Sequence, residues 1–178
     1  MYINGQPIFA AETKDLNLMK TWREHQHSLT DKLKAAKGDV QLEIISHNWI
    51  VPTWWDKYLL KINDELIIQR EILMKHHRID YWYARTIIPQ KCYNLNPDFF
   101  NRLEKESMRS LIFDDNKVNR INMISYPIDN QCIEFNWVQK HLNTIHSPLW
   151  VRLAEYSLQG LESFFVVEIL LPELENVL

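Results

Sequence analysis

Glycine is scarce in this chain: three among 178 residues, at Gly5, Gly38 and Gly160. That excludes the glycine-rich phosphate loops of dinucleotide and nucleoside triphosphate binding, and leaves no nucleophile-elbow motif. Cysteine is scarcer still. Cys92 and Cys132 make neither a paired metal spacing nor a disulfide framework, and fit a reducing cytoplasm. A basic excess is absent, since the net charge is −3, so nucleic acid is not expected as a partner. The apolar runs are too short to span a bilayer. The opening Met1-Tyr2-Ile3-Asn4-Gly5-Gln6 lacks the basic and apolar regions of a signal peptide. We therefore expect a cytoplasmic protein without a membrane partner. The length suits one domain over 1–178, with residues 1–12 loosely attached and no repeat or linker.

Arginine and glutamate in apolar strands stand out against this background. In Glu65 to Met74, period-two alternation puts Leu66, Ile68, Arg70, Ile72 and Met74 on one face. Arg70 should therefore point into the core, where a cation is costly unless an anion or several acceptors meet it. The run Phe164 to Pro172 is apolar except for Glu168. These two residues fit either a structural ion pair or a closed pocket for a small anion.

In chain order, spacing predicts a helix over Lys14 to His25, then a second from Ser28, whose Ser28-Leu29-Thr30-Asp31 resembles a capping box. Leu29, Leu33 and Ala36 form its buried stripe and Gly38 ends it. Val40 to Ile50 reads as a strand, with Val40, Leu42, Ile44, Ser46, Asn48 and Ile50 alternating against Ile45, Trp49 and Val51. The polar turn Lys75 to Asp80 should close a hairpin onto Tyr81 to Pro89. There Arg85 shares a face with Tyr81, Tyr83 and Ile87, which makes it a second inward-facing cation. Pro89 and Pro97 bracket a loop, and Asp98 to Arg109 reads as a helix. Two strands are expected at Arg120–Tyr126 and Gln131–Val138, then Trp150 to Gln159, a turn at Gly160, and the Glu168 strand. His25, His27, His76 and His77 are read as surface residues. The pattern is α+β, an antiparallel sheet with helices packed over one side.

The sequence resembles chorismate pyruvate-lyase, the 4-hydroxybenzoate synthetase family. The resemblance rests on the Arg70-Glu71-Ile72-Leu73 strand and on Ala84-Arg85-Thr86-Ile87-Ile88-Pro89. Leu149-Trp150-x-Arg152 and the closing Glu168-Ile169-Leu170-Leu171-Pro172 complete it, and the order and spacing of the four carry more than any one. It implies an enclosed pocket in which Arg70 binds the ring carboxylate of the product and Glu168 meets its hydroxyl. Leu29 and Met108 would contact the carboxylate through their backbone. Two departures are visible: Ser107-Met108-Arg109 replaces the family's Pro-Leu-Gly, and Val151-Arg152-Leu153-Ala154 replaces Gly-Arg-Arg-Ser. The segment between Phe113 and Leu149 is also longer than usual.

The activity so implied is conversion of chorismate to 4-hydroxybenzoate and pyruvate, the first committed step toward ubiquinone, by a monomer needing no cofactor or metal. Chorismate carries two carboxylates. Arg70 suits the one on the ring, because a guanidinium stays charged when buried and binds a carboxylate through two parallel bonds. Arg85, or less favourably Arg152, is the candidate for the enolpyruvyl carboxylate. Competing expectations are a ligand-sensing module on the same scaffold, or a family member with a structural role only.

Overall fold

The computed structural model describes residues 2–3, 6–7, 19–114, 117–142, 145–146 and 148–177. Tyr2–Ile3 (β1) and Gln6–Pro7 (β2) form a small pair of their own. The main sheet has six strands: Gln41–Ile50 (β3), Ile67–His76 (β4), Ile79–Pro89 (β5), Val118–Ile128 (β6), Leu149–Leu158 (β7) and Glu162–Leu170 (β8). All pairings are antiparallel, in the order β3-β4-β5-β8-β7-β6. Two tight hairpins build most of it. His77 takes a positive φ between β4 and β5, and Gln159 and Gly160 do so between β7 and β8.

One face of the sheet is covered by Lys20–Arg23 (α1), Leu29–Lys37 (α2), Gln90–Leu95 (α4), Pro97–Asn101 (α5) and Met108–Asp114 (α6). Trp22, Leu33, Cys92, Phe100 and Leu111 from these helices bury against it. The helix expected over Lys14 to His25 is described only from Lys20, and its earlier part lies outside the described residues. As expected, Ser28 caps α2, its Oγ accepting from the Asp31 amide at 3.1 Å, and Gly38 ends it at φ 84°. The back face carries two short helices, Trp54–Leu59 (α3) and Ile133–Gln139 (α7), which bury Trp55, Leu59, Phe135 and Val138.

Three of the expected secondary-structure elements change. Gln131–Val138 is not a strand: Ile133 and Phe135 alternate with polar residues, but Glu134, Trp137 and Val138 close a helical face against the sheet. Pro89 and Pro97 bracket helix α4 rather than a loop, its Cys92 buried. The helix foreseen from Asp98 to Arg109 breaks into α5, a 3-10 turn at Arg102–Glu104 and, from Met108, α6.

Both outer strands carry a bulge, at Ile45 between Ile44 and Ser46 and at Ile121 between Arg120 and Asn122. A bulge inserts one residue and reverses the phase of the strand beyond it. In β3 it defeats the simple alternation, sending Ile50 to the back core and turning His47, the partner of Arg70, to the helix-covered face. In β6 it keeps Arg120, Met123 and Ser125 on that same face.

Arg85 is the main correction. In β5 the residues facing the front are Trp82, Ala84 and Thr86, so Arg85 points to the back with Tyr83 and Ile87. Both faces of this strand are apolar, and alternation alone does not say which is which. On the back, Arg85 Nη2 donates to Glu71 Oε1 at 2.6 Å and the guanidinium lies 3.8 Å over the Trp137 ring. Tyr83 Oη also donates to Glu71, and Ser46 Oγ does so at 2.9 Å. Burial pushes the Glu71 carboxyl up, but the bonds from Tyr83, Arg85 and Ser46 outweigh it and hold the group below its ordinary value. Arg85→Met would remove the cation from this partly buried carboxylate and leave it the bonds from Tyr83 and Ser46, so we expect it to cost about 1.5–3 kcal/mol, the scale of a hydrogen bond to a charged group, measured by urea unfolding. A loss under about 1 kcal/mol, the size of a surface pair, would contradict that account.

Candidate active site

The front face of the sheet can be read as rows. One runs His47, Arg70, Thr86, Val166, Ala154, Met123, and the next Ile44, Ile72, Ala84, Glu168, Arg152, Ser125. Arg70 and Glu168 thus stand two strands apart and one row apart, roughly 12 Å between backbones at ordinary strand spacings. Between them lies a cavity, roofed by α2 and α6 and floored by apolar side chains such as Ile72, Ala84 and Val166. It offers about 70 Å³ to the centres of water molecules, several times the roughly 10–15 Å³ that one water requires.

Arg70 is 1% exposed. Its Nε donates to the Leu103 carbonyl and its Nη2 to the Glu106 carbonyl, both at 2.9 Å. Among the described residues no carboxylate pairs with it. Burial pushes its pKa down to about 10, which leaves it charged at neutral pH. Two neutral carbonyls satisfy the donors on one side of the guanidinium without cancelling its charge, and the cavity is where an anion would complete it.

Glu168 meets Arg152 instead. Arg152 Nη1 lies 3.3 Å from Glu168 Oε2, a salt-bridge distance without hydrogen-bond alignment. Arg152 is 3% exposed, and its Nη2 donates to the His25 carbonyl at 2.9 Å while Nε has no partner. The structural pairing of Arg70 with Glu168 is therefore absent.

Of the residues singled out from sequence, Leu29, Arg70, Met108, Arg152 and Glu168 line this one cavity and Arg85 does not. Leu29 and Met108 are the first residues of α2 and α6, where backbone amides lack intrahelical acceptors. Sequence reading missed Arg120, Tyr156 and Thr86, which also line the cavity. It also missed the front-facing His47, half-buried beside Arg70 with Nδ1 unpartnered. Period-two phase counted from Arg152 could have found Tyr156, but the two apolar faces of β5 hide Thr86 and a bulge hides His47. Of the four histidines read as surface residues, His27 lies at the cavity edge and His25 is partly buried. Among the described residues, no three His, Cys, Asp or Glu side chains form a metal cluster, and no helix is long and apolar enough to cross a membrane.

The chain matches the chorismate lyase family over residues 10–175. It belongs to that family. A probable chorismate pyruvate-lyase from Shewanella sp. (strain MR-7) is 24% identical over 156 residues, covering 86% of this chain and 79% of the relative. Solved structures share the fold at lower identity. The effector domain of PhnF from Mycobacterium smegmatis aligns with TM-score 0.53 and 11% identity over 83% of this chain and 90% of its own. The C-terminal domain of the histidine utilization repressor from Pseudomonas syringae pv. tomato aligns with TM-score 0.56 and 10% identity, over 79% and 96%.

His47 gives this site a pH signature. Burial first, and then the Arg70 charge, hold its pKa below 6.5, against the opposing pull of Glu104 and the Leu103 carbonyl. A depressed histidine is neutral in the fold while the unfolded chain takes up its proton first. Stability is thus lost as pH falls from the ordinary value toward the folded one. Unfolding free energies at about pH 7.5 and about pH 5.5 should differ less in His47→Gln than in wild type. An unchanged difference would remove His47 from this role.

Proposed function

We propose that this protein is a lyase that converts chorismate to 4-hydroxybenzoate and pyruvate. The observation that carries the reading is Arg70: buried, charged and without a carboxylate partner among the described residues, in a cavity with an apolar floor that also holds Glu168. Family membership and the probable chorismate pyruvate-lyase from Shewanella support the same reaction.

In this reading Arg70 and the first amides of α2 and α6, at Leu29 and Met108, bind the ring carboxylate. Glu168 accepts from the ring hydroxyl at the other end. The ether bond between ring C3 and the enolpyruvyl oxygen breaks and the C4 hydrogen leaves as a proton, so the ring becomes aromatic. The departing enolpyruvate takes a proton at its methylene carbon to become pyruvate. Atoms balance without water, oxidant or reductant. The protein supplies orientation and a fixed electrostatic frame.

Purified protein given chorismate alone should release 4-hydroxybenzoate and pyruvate in equal amounts; finding neither would end the lyase reading. A flat product spanning Arg70 and Glu168 should be held tightly, so release should limit turnover and pre-steady-state kinetics should show a product burst. For Arg70→Met, the carbonyls of Leu103 and Glu106 lose their donor, a modest cost of about 1–3 kcal/mol. Thermal unfolding with and without 4-hydroxybenzoate separates this from binding. Wild type should gain stability with ligand by mass action, and Arg70→Met should not. A mutant that keeps the full ligand shift would place the anion site elsewhere.

A further inference from the structure

The cavity carries more positive charge than one carboxylate would use. Arg70, Arg109, Arg120 and Arg152 line it, against the single carboxylate of Glu168. Their placement is uneven. Arg70 stands at the β4 end, and Arg109, on α6, is engaged with Asp31 at 2.9 Å. Arg120 and Arg152 stand together at the opposite end, on β6 and β7, beyond Glu168 as seen from Arg70.

Arg120 is held there by the Ile121 bulge, which keeps both it and Ser125 on the cavity face although they are five residues apart. Its Nη2 donates to Gln26 Oε1 at 2.9 Å and its Nη1 contacts Met123 Sδ at 3.6 Å. Both are neutral partners, and among the described residues no carboxylate pairs with Arg120. Beside it, among the described residues, the 97%-buried Arg152 keeps Nε without a partner, and Ser125 Oγ, across the β6–β7 pair, is buried and unpartnered too. Arg70 and Arg120 lie four strands and one row apart, roughly 20 Å between backbones. All four arginines line the one cavity, so their side chains enter that gap from both ends.

We infer that Arg120, with Arg152 beside it, forms a second carboxylate subsite, so that the cavity selects dianions over monoanions. Resting on the lyase reading, this assigns the enolpyruvyl carboxylate of chorismate to the Arg120 end. A substituent on C3 of a ring whose C4 hydroxyl faces Glu168 lies next to that hydroxyl and extends toward β7 and β6. The product lacks this second carboxylate, so Arg120 contributes to binding substrate and not to retaining 4-hydroxybenzoate.

The test uses two ligands with the same ring and ether, 4-hydroxy-3-(carboxymethoxy)benzoate and 4-hydroxy-3-methoxybenzoate, which differ in the second carboxylate. Calorimetry should show wild type binding the first more tightly. Arg120→Met should weaken the dianion by about tenfold or more, the scale of one lost charge-assisted contact, and leave the monoanion within about twofold. Arg120→Lys should recover part of the difference. Equal weakening of both ligands would mean that Arg120 only braces the fold through Gln26, and no weakening of the dianion would overturn the subsite directly. The two readings fail separately. A wild type that does not convert chorismate, yet loses its dianion preference with Arg120→Met, would remove the lyase reading and uphold the subsite.

Discussion

The guanidinium of Arg70, held by two backbone carbonyls and, among the described residues, by no carboxylate, is the interaction on which this structure turns. A buried cation is tolerable when its donors are satisfied, and Leu103 and Glu106 do this with neutral oxygens. The same bonds tie the segment that leads into α6 to strand β4. Arg70 therefore brings the roof of the cavity to its floor and keeps its charge available. A carboxylate from the protein at the same place would have stabilised the fold and closed the site to anions.

Two polar solutions coexist on one sheet, and their contrast separates function from structure. On the back face Arg85 and Glu71 are ion-paired at 2.6 Å and further bonded by Tyr83 and Ser46. On the front, Arg70 has no anionic partner among the described residues, and Arg152 approaches Glu168 at 3.3 Å without an aligned hydrogen bond. A buried charge cluster that served only stability would resemble the first arrangement. The front face bears the incomplete one, beside a cavity. Fold likeness does not decide this point, since regulator effector domains share the architecture and function resides in the site.

How much of this was legible depended on each strand's surroundings. Arg70 and Glu168 could be placed from sequence because each is the polar exception in an apolar pattern, and both strands keep their period through the site. Arg85 could not, since β5 is buried on both faces and its alternation has no solvent side to fix the phase. The bulges at Ile45 and Ile121 leave no sequence mark, so His47 and Arg120 stayed hidden. Helix α7 was misread because Ile133, Phe135 and Trp137 alternate like a strand, while the contact that makes them helical comes from a distant sheet. Short helices such as α4 depend on tertiary packing in the same way.

The central claim is that Arg70 and Glu168 mark the two ends of one ligand. A crystal structure with 4-hydroxybenzoate tests it most directly. The account predicts the carboxylate on the Arg70 guanidinium and the amides of Leu29 and Met108, with the ring hydroxyl on Glu168. A product lying reversed, or bound away from Arg70, would contradict it.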